Sequence, residues 1–232
     1  MELPSYPELA KMIDHSLLKP TMTRDELEAG CRLAVAYDVA SVCIMPYYLA
    51  RATEILRGTD VLPSTTIGFP HGGQSSRVKQ LEADQALDDG ARELDMVVNV
   101  SQVLSGDFDA VRTDILGVLQ VTHARGQKLK VIFENCYLNE AQKIRLCEIC
   151  GELSVDWVKT STGFGSSGAT LEDLRLMRRY SPAHVQVKAA GGVQDLDMLL
   201  QIRAIGATRS GCSKTRDVLD DLRRRLALAG RG

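Results

Sequence analysis

Eight strand-like runs alternating with helical patterns predict an α/β protein, a (β/α)8 TIM barrel built as a single domain over residues 1–232. Three observations carry this expectation. The strand-helix units recur at about the thirty-residue length of a βα repeat. The first strand lacks the Gly-x-Gly-x-x-Gly turn that an open doubly wound sheet would carry. Finally, two lysines stand at matching ends of consecutive strands, in Asp156-Trp157-Val158-Lys159-Thr160-Ser161-Thr162-Gly163 and in His184-Val185-Gln186-Val187-Lys188-Ala189-Ala190-Gly191-Gly192.

In chain order, Lys11 to Pro20 reads as a short strand or turn stopped by Pro20, and its Asp14 and His15 are ambiguous on pattern alone. Thr23 and Glu26 have capping-box spacing, and the helix they open runs to about Tyr37. Val39 to Met45 is a strand with Ser41, Cys43 and Met45 on one face and Val42 and Ile44 on the other. A helix over Tyr47 to Leu56 leads to a strand over Thr65 to Phe69, closed by Gly68-Phe69-Pro70-His71-Gly72-Gly73. His71 is given no ligand role. After a helix over Ser75 to Asp89, the run Glu93 to Val100 alternates cleanly, with Asp95, Val97 and Asn99 opposite Leu94, Met96 and Val98.

The second half repeats the plan. A helix over Phe108 to His123 precedes a strand over Leu129 to Asn135 with Glu134 near its carboxyl end, then a helix over Asn139 to Leu153. In that helix Cys147 and Cys150 share one face as small apolar groups, and no second pair completes a zinc site. In the first lysine strand Trp157, Lys159 and Ser161 share a face opposite Val158 and Thr160. Leu171 to Arg179 is a helix, Val185 to Ala189 a strand, Asp195 to Ile205 a helix and Ala207 to Gly211 the last strand, followed by an arginine-rich helix.

Composition narrows the function classes. At 44% hydrophobic residues the chain can bury a sizeable core, and a net charge of −2 with mixed signs offers no basic face for nucleic acid or anionic membrane. The expected partner is a small molecule, with a homo-oligomer left open. No run approaches the roughly eighteen apolar residues of a membrane span. Glu2, Glu8 and Asp14 fall where a signal peptide needs an apolar core, so a cytoplasmic protein is expected. Six cysteines without framework spacing read as reduced thiols.

A barrel interior is filled mainly by branched apolar side chains, so inward charge is costly outside the catalytic layer. If the Val42/Ile44, Met96/Val98, Val158 and Val185/Val187 faces look toward the helices, then Cys43, Asp95, Glu134, Lys159 and Lys188 look inward toward one pocket. Buried ion pairs stabilise less than apolar packing, which favours a chemical role for such a cluster. A neighbouring cation and a dry site push a lysine toward the neutral amine that attacks carbonyls. Lowering a lysine pKa by ~3 units raises the neutral fraction at pH 7 almost ~1,000-fold. One lysine forming an imine, a second tuning it and Asp95 moving protons fit Schiff-base chemistry. Glycine clusters after three strands, Gly163-Phe164-Gly165-Ser166-Ser167-Gly168, Gly191-Gly192 and Gly211-Cys212-Ser213, suit a phosphate held by backbone N–H groups.

At these residues the chain resembles the deoxyribose-phosphate aldolase family of class I aldolases. The likeness covers most of the chain. It rests on Asp14-His15-Ser16-Leu17-Leu18-Lys19-Pro20, Val42-Cys43-Ile44, Ile67-Gly68-Phe69-Pro70-His71-Gly72, Glu93-Leu94-Asp95-Met96-Val97, Val158 through Phe164 and Val187 through Val193. The resemblance implies Lys159 as Schiff-base lysine, Lys188 as its perturber and Asp95 as proton donor and acceptor. It also implies cleavage of 2-deoxy-D-ribose 5-phosphate to D-glyceraldehyde 3-phosphate and acetaldehyde, with no metal and no organic cofactor. Asp14, Ser16, Cys43, Thr160, Gly163, Gly191, Gly192, Gly211 and Ser213 are the expected substrate-binding residues, although Cys43 also suits simple packing. Ser16 stands where the family commonly has threonine, and Lys214 where a second small hydroxyl residue is common. The sequence ends Leu228-Ala229-Gly230-Arg231-Gly232, without the tyrosine that some members carry there. A sugar-phosphate sensor on the same barrel is the competing class, and the joint presence of Asp95, Lys159 and Lys188 argues against it.

Overall fold

Eight parallel strands pair in sequence order, and the last returns to the first to close a barrel. The structure, a computed structural model, describes residues 3–230, so Arg231 and Gly232 of the tail lie outside the described residues. The strands are β1 (Ile13–Leu17), β2 (Ser41–Ile44), β3 (Leu62–Ile67), β4 (Glu93–Val97), β5 (Lys128–Ile132), β6 (Trp157–Lys159), β7 (Gln186–Ala190) and β8 (Arg209–Cys212). The helices are α1 (Tyr6–Ala10), α2 (Arg24–Ala36), α3 (Leu49–Leu56), α4 (Ser76–Asp88), α5 (Val100–Leu104), α6 (Phe108–Ala124), α7 (Glu140–Leu153), α8 (Leu171–Tyr180), α9 (Leu196–Ala204) and α10 (Thr215–Ala229).

Alternation along the strands decides what each face meets. Val42, Ile44, Leu94, Met96, Val131, Val158 and Val187 are fully buried in the apolar layer between strands and helices. Burying each such side chain contributes about 1.5–3 kcal/mol. The helix starts are written locally. Thr23 donates its amide to Glu26 at 2.7 Å to open α2, and Asn139 and Gln142 exchange reciprocal hydrogen bonds at 2.9 and 3.0 Å to open α7. Each cap is worth about 1 kcal/mol.

Several boundaries differ from the sequence reading. The strand expected to reach Val100 ends at Val97, because Asn99 turns to accept from the Gln102 amide and cap α5. The strand expected to reach Asn135 ends at Ile132; Glu134 adopts a left-handed backbone with φ 56° and Asn135–Tyr137 forms a 3-10 turn. β3 starts earlier than expected, with Leu62 and Pro63 paired to Ser41 and Val42. Ahead of β1, Ser5 donates its amide to Glu8 at 2.8 Å and starts α1.

Candidate active site

The inner faces of six strands deliver a buried network of charge. Asp95 on β4 sits at its centre: Lys159 and Lys188 each place Nζ 2.7 Å from its Oδ2, and Lys130 reaches Oδ1 at 2.8 Å. The register explains the meeting, since Asp95 pairs with Lys130 across β4–β5, Lys159 with Lys188 across β6–β7, and Lys188 with Arg209 across β7–β8. Asp14 lies 2.5 Å from both Lys188 and Arg209, while Glu93 holds Lys130 at 2.6 Å and Arg209 at 2.7 Å. Beneath them the Trp157 ring stacks under Arg209, 5.2 Å from the ring centroid.

Counting charges shows which group is out of balance. Four cations (Lys130, Lys159, Lys188, Arg209) face three carboxylates (Asp14, Glu93, Asp95). Full ionisation therefore leaves one net positive charge in a dry site, and deprotonating one lysine restores balance. Burial pulls the Lys159 pKa down and the Lys188 charge adds to that; Asp95 opposes both without reversing the direction. For Lys188 and Lys130 burial also works against the ammonium, but the surrounding carboxylates outweigh it and hold both above the usual lysine value. Burial opposes the Asp95 and Asp14 carboxylates, yet the clustered cations keep both well below the ordinary range. Lys159 is thus the one lysine of the network whose surroundings favour the neutral amine, and it is also the lysine of the network that lines the cavity above.

That cavity of about 690 Å³ opens over the carboxyl ends of the strands. It brings together Lys159 with Ser16, Gly163, Gly191, Gly192, Gly211 and Ser213. Gly163, Gly191 and Gly192 have φ of 88°, 79° and 84°, a left-handed backbone that favours glycine. Gly168 packs directly on Gly191: a Cβ at Gly168 would stand 2.4 Å from the Gly191 carbonyl.

Three expected substrate contacts stand elsewhere. Asp14 is fully buried below the cavity, because the alternation that exposes Ser16 to the mouth sends Asp14 into the ion network one layer down. Thr160 faces the opposite way, and its hydroxyl bridges the Ala190 carbonyl and amide at 3.2 and 3.0 Å. Cys43 is buried at the network's edge and is not among the cavity-lining residues; burial first and Asp95 second raise its thiol pKa. Glu134, expected inward beside the lysines, instead accepts hydrogen bonds from Thr162, because its left-handed backbone breaks the alternation. His15 lines the cavity edge beside Ser16, lies 2.8 Å from the Thr215 hydroxyl, and burial pushes its pKa down to about 4.

Sequence reasoning missed Lys130, Glu93 and Arg209, whose inward placement follows from the same period-two rule applied one layer lower. It also missed Lys19, a cation on the cavity wall. No helix among the described residues is long and apolar enough to cross a membrane.

The chain as a whole is similar to known proteins. Residues 9–220 match the model of the DeoC/LacD family aldolase. A deoxyribose-phosphate aldolase of Rhodopirellula baltica is 60% identical over 223 residues, covering 96% of this chain and 92% of the relative. One from Thermococcus gammatolerans is 46% identical over 208 residues, covering 89% and 92%. Among solved structures, the tetrameric deoxyribose phosphate aldolase of Aeropyrum pernix superposes with a TM-score of 0.88 at 28% identity, covering 94% of this chain and 92% of that one.

Proposed function

The chain belongs to the DeoC/LacD aldolase family and is a lyase, and from that premise we propose that it cleaves 2-deoxy-D-ribose 5-phosphate reversibly through a Schiff base on Lys159. The single observation that carries the assignment is the shared Asp95 Oδ2, contacted at 2.7 Å by both Lys159 and Lys188. One lysine of that pair is held protonated by two carboxylates, and the other is driven toward the neutral amine.

The steps follow from these charges. Neutral Lys159 attacks C1 of the open-chain aldehyde, and protonation of the C1 hydroxyl with loss of water gives the protonated imine. Removal of the C3 hydroxyl proton then lets the C2–C3 bond break; its electrons form the C1–C2 double bond of an enamine as glyceraldehyde 3-phosphate leaves. Protonation at C2 and hydrolysis release acetaldehyde and regenerate the lysine. Asp95 begins with three ammonium partners and is too weak a base to take a proton. As the C2–C3 bond breaks, the cationic imine on Lys159 becomes a neutral enamine, one cationic partner is lost, and the proton affinity of Oδ2 rises as the C3 hydroxyl proton is released. The phosphate is held by the N–H groups at Gly163, Gly191 and Gly192 with Ser213, which line the same cavity as Lys159.

Incubation with acetaldehyde and a hydride reductant tests the covalent step, since reduction of an imine leaves a permanent two-carbon adduct. Peptide mapping should find it on Lys159. A label on Lys188, or turnover of deoxyribose 5-phosphate without any trapped adduct, would overturn the assignment.

A further inference from the structure

At the end of β5 a carboxylate is buried where the proposed chemistry does not use it. Glu134 is 2% exposed, and among the described residues it forms no ion pair. Its donors are the Thr162 amide, 3.3 Å from each oxygen, the Thr162 hydroxyl, and the Cys136 thiol at 3.9 Å. The Thr162 hydroxyl oxygen in turn accepts from the Phe164 amide at 3.0 Å. Gly165 lies on the carboxylate: a Cβ there would stand 2.6 Å from Cys136 Sγ and 3.1 Å from Glu134 Cδ. The left-handed φ of 56° at Glu134 is uncommon for a residue with a side chain, and it is what turns this carboxylate away from the lysines and under the loop after β6.

The consequence falls on Gly163. Its neighbours on both sides, Thr162 and Phe164, are tied to Glu134, directly or through one hydroxyl, while Gly163 itself is bound to nothing in that chain. Thr162, Gly163 and Phe164 all line the cavity. The Phe164 ring meets Phe69 edge to face at 5.4 Å, which extends the wall to the loop after β3. A turn whose flanks are fixed presents its N–H in one direction before any anion arrives, and pre-organised donors hold a phosphate better than donors that must first be ordered.

We propose that Glu134 is a positioning residue that sets the phosphate-binding turn at Gly163 and so selects phosphorylated over unphosphorylated substrate. The proposal rests on the phosphate site described above, but it adds a residue that touches neither the phosphate nor the reacting atoms. Tying the turn from beneath with an acceptor keeps the anion's own donors free.

Kinetics on deoxyribose 5-phosphate and on deoxyribose test it, using Glu134→Ala, Glu134→Gln, Thr162→Val and the Glu134→Ala/Thr162→Val double variant. A hydrogen bond to a charged group accounts for roughly tenfold or more in binding. Glu134→Ala and Thr162→Val should each raise KM for the phosphate ester at least about tenfold, with kcat and the slow turnover of the free sugar within about threefold. Glu134→Gln keeps an acceptor and should restore most of the KM. The double variant should lose no more than the worse single one, because both break the same tie. Equal losses on both substrates, or additive losses in the double variant, would overturn the proposal and reduce Glu134 to fold support. Acetaldehyde trapping on Lys159, run in parallel, should persist in every variant. Absent trapping in the parent protein would refute the Schiff-base reading instead, leaving the two-substrate comparison readable.

Discussion

Replacing Lys188 with methionine removes one like charge from beside Lys159 and one cation from Asp14 and Asp95 together. Both changes let the Lys159 ammonium persist to higher pH. The acid limb of kcat/KM should therefore move up by at least about one unit, with at least about a tenfold loss at pH 7 and partial recovery in alkali. A pH-rate profile checks this, and an unmoved limb would remove Lys188 from the tuning role. The residues behind this prediction were legible because strand alternation put Asp95, Lys159 and Lys188 on inner faces. Lys130 and Arg209 were not, since a basic residue near the start of a strand reads as solvated surface until the barrel closes over it. Glu134 misled for the opposite reason: a single left-handed residue after Phe133 ends the alternation, and nothing in its side chain announces that.

Among the elements, the loop after β3 offers a clean separation of backbone strain from collision. Gly72 has φ 69°, and a Cβ there would stand 1.9 Å from the Val98 carbonyl oxygen, whereas Gly58 has φ 80° with open space around it. Gly58→Ala should cost only about 1 kcal/mol, the conformational penalty alone. Gly72→Ala should cost at least ~2 kcal/mol, because the β3 loop must also move off the end of β4. Urea unfolding of the two variants measures the difference, and equal losses would mean that the loop yields freely. Long helices such as α2 and α7 were readable because their capping residues mark the start and the period runs long enough to show. The five residues of α1 and of α5 are too few to display a 3.6-residue repeat, and the sequence reading passed over both. The three-residue β6 was recovered from its apolar run and period-two alternation, which the matching lysine on β7 reinforced.

For the molecule as a whole, stability should respond to pH in two separate windows. His15, 5% exposed, has its pKa pushed by burial from 6.5 to about 4, so the unfolded chain binds a proton that the folded chain refuses as pH falls through that interval. Stability should thus decline by up to about 3 kcal/mol between pH 6.5 and 4 and be insensitive to this residue above it. His15→Asn should flatten that decline in urea titrations at pH 7 and pH 4.5; an unchanged slope would refute the burial argument. Asp14 and Asp95 act lower down: their depressed values add stability that is present above the ordinary carboxylate range and lost as the medium acidifies through the folded values. The ring closure that assembles this network also imposes an order in time. Asp14 and Arg209 meet across the β1–β8 seam from positions 195 apart in sequence, so one of the most distant contacts in the chain is also part of the buried ion network. The chain's single tryptophan, Trp157, stands inside that ring with its indole N–H donating to Thr208 beside β8, and it should light the same event. On dilution from denaturant, helical ellipticity should return first, and Trp157 emission and aldol turnover should return later and together, the latecomers of a clock wound by topology.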